Sequence, residues 1–281
     1  MTDGCTALAK IVGNRYFLAK NRDLVVENIK NSVLFDDAVF LVRGFDVTTS
    51  KEIGASFGIN RWGLSACNTT VLVTKEQPYD LLLERVLRET KTIEEAFTFI
   101  RADLKSGSRY QWSNFILATP SGVGVVEIGD GVAVLEQDYN MIVRTNHHLL
   151  LPTAEILGKA SATERDAGGP LNTSQSRRQQ AAKLIHDATS KMDIAQIMSA
   201  HTDDRGFSSI CRHPLDTPNI EPYRGQTVFS YLAEVSSIGL DDFEFRISIA
   251  KGNPCSELYK EYQLDFDSPV EEKNLLVHSM P

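Results

Sequence analysis

No stretch of this chain stays apolar for the roughly 20 residues that a membrane-spanning helix requires. The amino terminus has no signal-peptide core either, because Lys10, Arg15 and Lys20 interrupt it. Basic residues are in short supply: 29 Lys and Arg stand against 37 Asp and Glu, a net charge of −8. The densest basic cluster is the pair Arg177-Arg178, too little to follow a phosphate backbone, so nucleic-acid binding is excluded. Cysteine is sparse and scattered, with Cys5, Cys67, Cys211 and Cys255 showing no C-x-x-C spacing. The six histidines are equally dispersed, and His147-His148 lacks the spacing of a helical metal pair. Gly122-x-Gly124 runs into Val125-Val126-Glu127 and reads as a hairpin turn rather than a phosphate loop. These absences point to a reduced, cytoplasmic protein that needs no metal or cofactor and touches no membrane; self-association is left open.

What is present is ordinary globular composition, 42% hydrophobic and 23% charged over 281 residues, with no repeat and no linker. Residues 5–12 and 15–20 read as a hairpin around Gly13-Asn14. Strands are expected over Val33–Val42, Ile53–Ile59 and Leu64–Val73, followed by a helix over Tyr79–Glu89, where Leu82, Leu83, Val86 and Leu87 fall on one face. Thr92 with Glu95 marks the start of a second helix. Strands resume at Phe115–Thr119, Gly124–Ile128, Val132–Leu135 and Met141–Thr145. The Ala-, Gly- and Ser-rich segment Gly158–Ser174 reads as a loop. Helices over about 176–189 and 194–200 precede two long strands, Thr227–Ser236 and Asp242–Ala250. The last dozen residues look polar and weakly structured, and Tyr259–Tyr262 reads as ordinary packing. Blocks of strands alternating with pairs of helices predict an α+β domain with antiparallel sheets and helices packed outside.

Cys5 stands out by position, at the head of a predicted strand behind Met-Thr-Asp-Gly. Removal of that tetrapeptide would leave a thiol and a free α-amino group on one residue. An α-amino group has a reference pKa of about 8, suited to general-base work at neutral pH. The thiol is intrinsically nucleophilic. Taken alone, a small cysteine on a strand is more often a packing residue, and Cys67, Cys211 and Cys255 are read that way, as buried rather than reactive.

The neighbours of Cys5 alter that balance. Asp3-Gly4-Cys5-Thr6, Lys20-Asn21-Arg22-Asp23, Gly58-Ile59-Asn60 with Gly63-Leu64, Thr145-Asn146-His147, Ser209-Ile210-Cys211-Arg212, and Arg224-Gly225 leading into Thr227-Val228-Phe229 occur in that order. Together they resemble the choloylglycine-hydrolase-like branch of the N-terminal-nucleophile superfamily, and most of all its acyl-CoA:6-aminopenicillanate acyltransferase group. The resemblance extends from Asp3 to about Phe266.

It implies a four-layer αββα sandwich, an α+β fold of two antiparallel sheets flanked by helices. Residues 1–4 would be a short propeptide and 5–281 one domain; so short a prosegment implies no two-subunit enzyme. Cleavage of the Gly4–Cys5 bond would release Cys5 as the nucleophile. Asp23 would fix the Cys5 amino group or substrate, Asn146 would donate to the developing oxyanion, and Arg224 would stabilise negative charge near Cys5. Asn68 and Arg212 would bind substrate, although Arg212 could instead hold a buried carboxylate. Lys20 stands where bile-salt hydrolases carry arginine, and a lysine cannot make the arginine's bidentate contact. The implied substrate is a small N-acyl amide, cleaved at a linear amide through an acyl-enzyme. Acyl transfer from the same intermediate, a non-catalytic ligand-binding relative, and an ordinary cysteine hydrolase with an internal nucleophile are the alternatives.

Overall fold

The structure is a computed structural model that describes residues 4–24, 32–46, 49, 51–152, 169–203, 205–214 and 225–281. It opens on the expected hairpin, β1 (Cys5–Val12) and β2 (Arg15–Leu24), whose turn is permitted by Gly13 at φ 62°. β3 (Val33–Phe35), β4 (Val39–Asp46), β5 (Lys51–Asn60) and β6 (Ser65–Leu72) follow. The single strand expected over Val33–Val42 is broken in two, because Asp36 Oδ1 accepts from the Ala38 and Val39 amides at 2.9 Å each and turns the chain. Helices α1 (Tyr79–Glu89) and α2 (Ile93–Lys105) come next, with the Thr92 side chain capping α2 through the Glu95 amide at 3.1 Å.

Four strands follow, β7 (Trp112–Thr119), β8 (Gly122–Gly129), β9 (Val132–Asp138) and β10 (Met141–Arg144). Helix α3 (Pro170–Ile185) starts inside the segment read as a loop; proline at its first turn is pre-set for helix entry. Helix α4 (Lys191–Met198), β11 (Gln226–Gly239) and β12 (Asp242–Lys251) precede two elements that sequence reading overlooked. Lys260–Leu264 is a strand, β13, paired with β12, and Val270–Ser279 is a helix, α5. The buried side chain of α5 is Lys273, whose Nζ donates to Phe266 O at 2.7 Å and also reaches Asp37. A helix anchored by a lysine leaves no apolar stripe in the sequence.

Among the described residues, six strands form one antiparallel sheet in the order β10-β1-β2-β11-β12-β13, and seven form the other in the order β3 through β9. Ala7, Ala9 and Leu18 of the first sheet pack between the layers against Phe40, Phe57 and Ile116 of the second. The outer face of the seven-stranded sheet packs on α1 and α2 through Leu41, Leu83 and Ile100. The outer face of the six-stranded sheet, with Leu8 and Phe17, packs on α3 and α4 through Ala181, Ile185 and Ile194. The four layers are therefore αββα, as the resemblance implied. No helix among the described residues is long and apolar enough to cross a membrane.

Candidate active site

Cys5 lies on the same face of β1 as Ala7 and Ala9, so strand alternation points its side chain between the sheets, near Cys67 and Tyr231. It is buried. Burial pushes the Cys67 thiol up to about 12, which keeps that neighbour protonated and weakens the case for an internal nucleophile.

The peptide unit before Cys5 is pinned at both ends. The Gly4 carbonyl accepts from the Asp23 amide at 2.9 Å, and the Cys5 nitrogen donates to Asn146 Oδ1 at 2.9 Å. Arg177 of α3 lies beyond it, donating to Cys5 O at 2.5 Å, Thr6 Oγ1 at 3.2 Å and Asn146 Oδ1 at 2.8 Å. The Asn146 amide orientation follows from its partners: two donors face Oδ1, while Nδ2 donates to Thr70 O at 2.8 Å in the opposite sheet. Ser174, one helical turn before Arg177, secures the strand end, since its Oγ accepts from the Asn146 amide at 2.8 Å and its carbonyl accepts from Thr145 Oγ1 at 2.8 Å.

Asp23 is completely buried. Its Oδ1 accepts from Thr227 Oγ1 at 2.8 Å, and its Oδ2 faces Arg212 Nε at 3.4 Å. Burial pushes the Asp23 carboxyl above the usual carboxylate range, against the pull of Arg212, Arg177, Thr227 and Lys20. Arg212 thus holds a carboxylate. A register shift between Thr227 and Phe229 in β11 sets Thr227 opposite Asp23.

Asn68 belongs to a neighbouring polar cluster. Its Oδ1 accepts from Lys20 Nζ at 2.9 Å, and its Nδ2 donates to Ala55 O at 3.0 Å and Asp80 Oδ1 at 2.9 Å. Lys20 also donates to Ser56 Oγ at 2.6 Å and Ser56 O at 3.2 Å. Burial raises the Asp80 carboxyl to about 6 despite Lys20 and Asn68. The cluster engages both ends of the Asn68 amide with protein groups, an arrangement suited to fixing Lys20. Arg224 lies outside the described residues.

Arg177 and Ser174 were passed over in the sequence. The available signal was the buried series Leu171, Ser174, Arg177, Ala181 and Ile185 on one face of α3, where an arginine interrupts positions otherwise small or apolar.

His147 Nδ1 lies 2.8 Å from Ser174 Oγ, and its pKa falls from 6.5 to about 4, chiefly through burial and secondarily through Arg178, Arg144 and Arg177. The ring is neutral in both folded and unfolded chains above pH 6.5. As pH falls from 6.5 toward 4, the unfolded chain takes up a proton that the fold resists, so stability is lost. Urea melts between pH 7 and 5 should show a decline of up to about 1.4 kcal/mol per pH unit from this residue. His148, also lowered, adds in the same direction. His147→Gln should flatten the slope; an unchanged slope would assign the titration elsewhere.

Two crystal structures, a mutant and a variant of conjugated bile acid hydrolase from Clostridium perfringens, share this fold. Each aligns at TM-score 0.51, with 11% and 12% identity, covering 93% and 95% of this chain and 97% and 99% of theirs. A Caenorhabditis elegans N-acylethanolamine-hydrolyzing acid amidase ortholog aligns at TM-score 0.44 with 13% identity, covering 81% of this chain and 92% of its own. No curated protein matches the sequence. The profile of the acyl-coenzyme A:6-aminopenicillanic acid acyl-transferase family matches residues 12–220, well over half of the chain, and the chain belongs to that family.

Proposed function

We propose that this chain is a self-processing cysteine amidohydrolase whose nucleophile is Cys5. The observation that carries the reading is the grip on the Gly4–Cys5 peptide, with its carbonyl on the Asp23 amide and its nitrogen on Asn146 Oδ1. A main-chain donor on a carbonyl oxygen stabilises the charge that develops when a nucleophile adds to it. In processing, the Cys5 sulfur adds to the Gly4 carbonyl carbon, and the C–N bond breaks as the nitrogen takes up a proton. Water then hydrolyses the thioester, releasing residues through Gly4 as a carboxylic acid and regenerating the thiol.

The freed α-amino group, still beside Asn146 Oδ1, then acts as base. It takes the thiol proton, and the thiolate attacks the acyl carbon of a linear N-acyl amide. The amine leaves with a proton, and water hydrolyses the acyl-enzyme. Asp23 Oδ2 accepts no hydrogen bond among the described residues, which suits it to receive the new ammonium form. Acyl transfer, with an amine replacing water in the last step, is the second reading, favoured by the family to which the chain belongs.

Intact mass combined with turnover of a panel of N-acyl amides tests the proposal. The mature chain should begin at Cys5 and hydrolyse at least one amide; a chain that keeps Gly4 while fully active would end it. Gly4 offers a finer probe, because a Cβ there would lie 2.2 Å from Arg212 Nη1 and 2.8 Å from Asp23 Oδ2. Gly4→Ala should slow processing by about tenfold or more, the scale expected when a reacting group is displaced by an ångström. The readout is the half-life of the precursor mass, and wild-type kinetics would rule out steric alignment at Gly4.

A further inference from the structure

Three residues of one short stretch, His201, Cys211 and His213, approach Cys255 of a distant turn beside Arg212. After α4 the chain folds back on itself: the Cys211 amide donates to Ala200 O at 2.8 Å, and the His213 amide donates to Arg205 O at 3.0 Å. This brings the His201 and His213 rings to 5.9 Å between centroids, at 75°. Cys255, in the turn after β12, completes a group with them in which one donor atom from each residue lies within 4.8 Å of the others. His213 Nε2 is 3.2 Å from Cys255 Sγ and 3.9 Å from Cys211 Sγ. Tetrahedral zinc, with bonds of about 2.0–2.1 Å to nitrogen and 2.3 Å to sulfur, separates its nitrogen and sulfur ligands by about 3.5 Å. The two observed separations bracket that value.

We propose that His201, His213 and Cys255 bind a zinc ion, with Cys211, whose Sγ is 3.9 Å from His213 Nε2, drawn in by the ion as a fourth donor, and that the ion fastens the Arg212 segment to the turn after β12. Imidazole and thiolate donors select zinc over magnesium or calcium, which prefer oxygen. The surroundings fit a held site. Asn253 Nδ2 lies 3.5 Å from Cys211 Sγ and donates to Arg212 O at 2.5 Å, so one side chain supports both a ligand and the segment to be fixed. Cys255 is exposed, contrary to the buried role expected for it, which gives an ion a path in from solvent. Arg212, between two of the ligands, carries the ion pair to Asp23, so the metal would act as a positioning element for the site without touching substrate. The proposal does not depend on the amidohydrolase reading, because its readout is metal content.

Protein purified under reducing conditions from zinc-supplemented cells should retain about one zinc per chain after dialysis. Stripping it with a chelator should lower the melting temperature by about 5 °C or more, and adding Zn2+ back should restore it. Cobalt added to the stripped wild type should give tetrahedral ligand-field bands together with sulfur-to-cobalt charge transfer. Cys255→Ser, a change at an exposed position that should leave the fold intact, should lose zinc and weaken the charge-transfer band. His213→Ala should lose both bands. Failure of the stripped wild type to bind zinc or cobalt stoichiometrically would overturn the proposal. Full zinc retention by both variants would do the same.

Discussion

Cys5→Ala should stop self-cleavage and lower amide turnover by at least about 10⁴-fold, since removing the nucleophile leaves only the binding and oxyanion contributions. The two losses have one cause. On the proposed mechanism, loss of the sulfur removes the group that would add to the Gly4 carbonyl, and no free amine would be generated to serve as base. The substitution is small, and Cys5 lines the interior beside Ala7 and Ala9, so folding should be preserved. Cys5→Ser separates the two consequences: a hydroxyl can still attack, more slowly, so precursor should disappear over hours while turnover stays far below wild type. Intact mass over time, followed by steady-state rates on the same samples, reads both. A Cys5→Ala protein that still hydrolyses amides would move the nucleophile elsewhere.

How much of this was legible beforehand varied from element to element. The β1–β2 hairpin, α1 and the Thr92 cap were readable because turn chemistry, periodicity and capping all agreed locally. The entry to α3 was missed because an Ala- and Ser-rich segment carries little periodicity, although Pro170 marked the start. β13 and α5 were hidden for a related reason, as they are edge elements held by pairing and by a buried lysine. The αββα layering came through the family resemblance; composition and periodicity alone stopped at antiparallel sheets with outer helices. In the site, Cys5, Asp23 and Asn146 were nominated by motif, and they are brought together. Which atom of Asn146 faces Cys5, and the presence of Arg177, depend on three-dimensional placement that no spacing rule supplies.

Asn146→Ala should lower kcat by about a hundredfold or more, with little change in KM, the scale seen when one preorganised partner at the reacting centre is removed. Alanine would remove the Oδ1 that accepts from both the Cys5 nitrogen and Arg177. Asn146→Asp distinguishes the two roles that the residue could have. If Nδ2 stabilises the oxyanion, as the resemblance implied, a carboxylate repels that charge and kcat falls at every pH. If Oδ1 orients the amine, as the observed hydrogen bond favours, a carboxylate holds the ammonium more tightly and raises its pKa. Activity should then rise with pH as in wild type, but with the rise displaced upward by about one unit or more. A pH–rate profile on processed protein, with processing confirmed by mass, decides between them. An increase in KM alone would make Asn146 a substrate-binding residue.

The contacts around the Gly4–Cys5 bond also bear on when the proposed processing would occur. Cys5 leaves the ribosome first, yet its partners lie far downstream: Asn146 is 141 residues away and Arg177 is 172. Thr227, which orients Asp23, is 204 residues beyond that aspartate. At about 5–20 residues per second, β11 emerges only after tens of seconds of synthesis. On the proposed self-cleavage, the Gly4–Cys5 bond would therefore be made early and armed late, once both sheets and α3 have docked. Loss of the tetrapeptide would then be a record of completed folding, and chains arrested before β11 should carry it indefinitely.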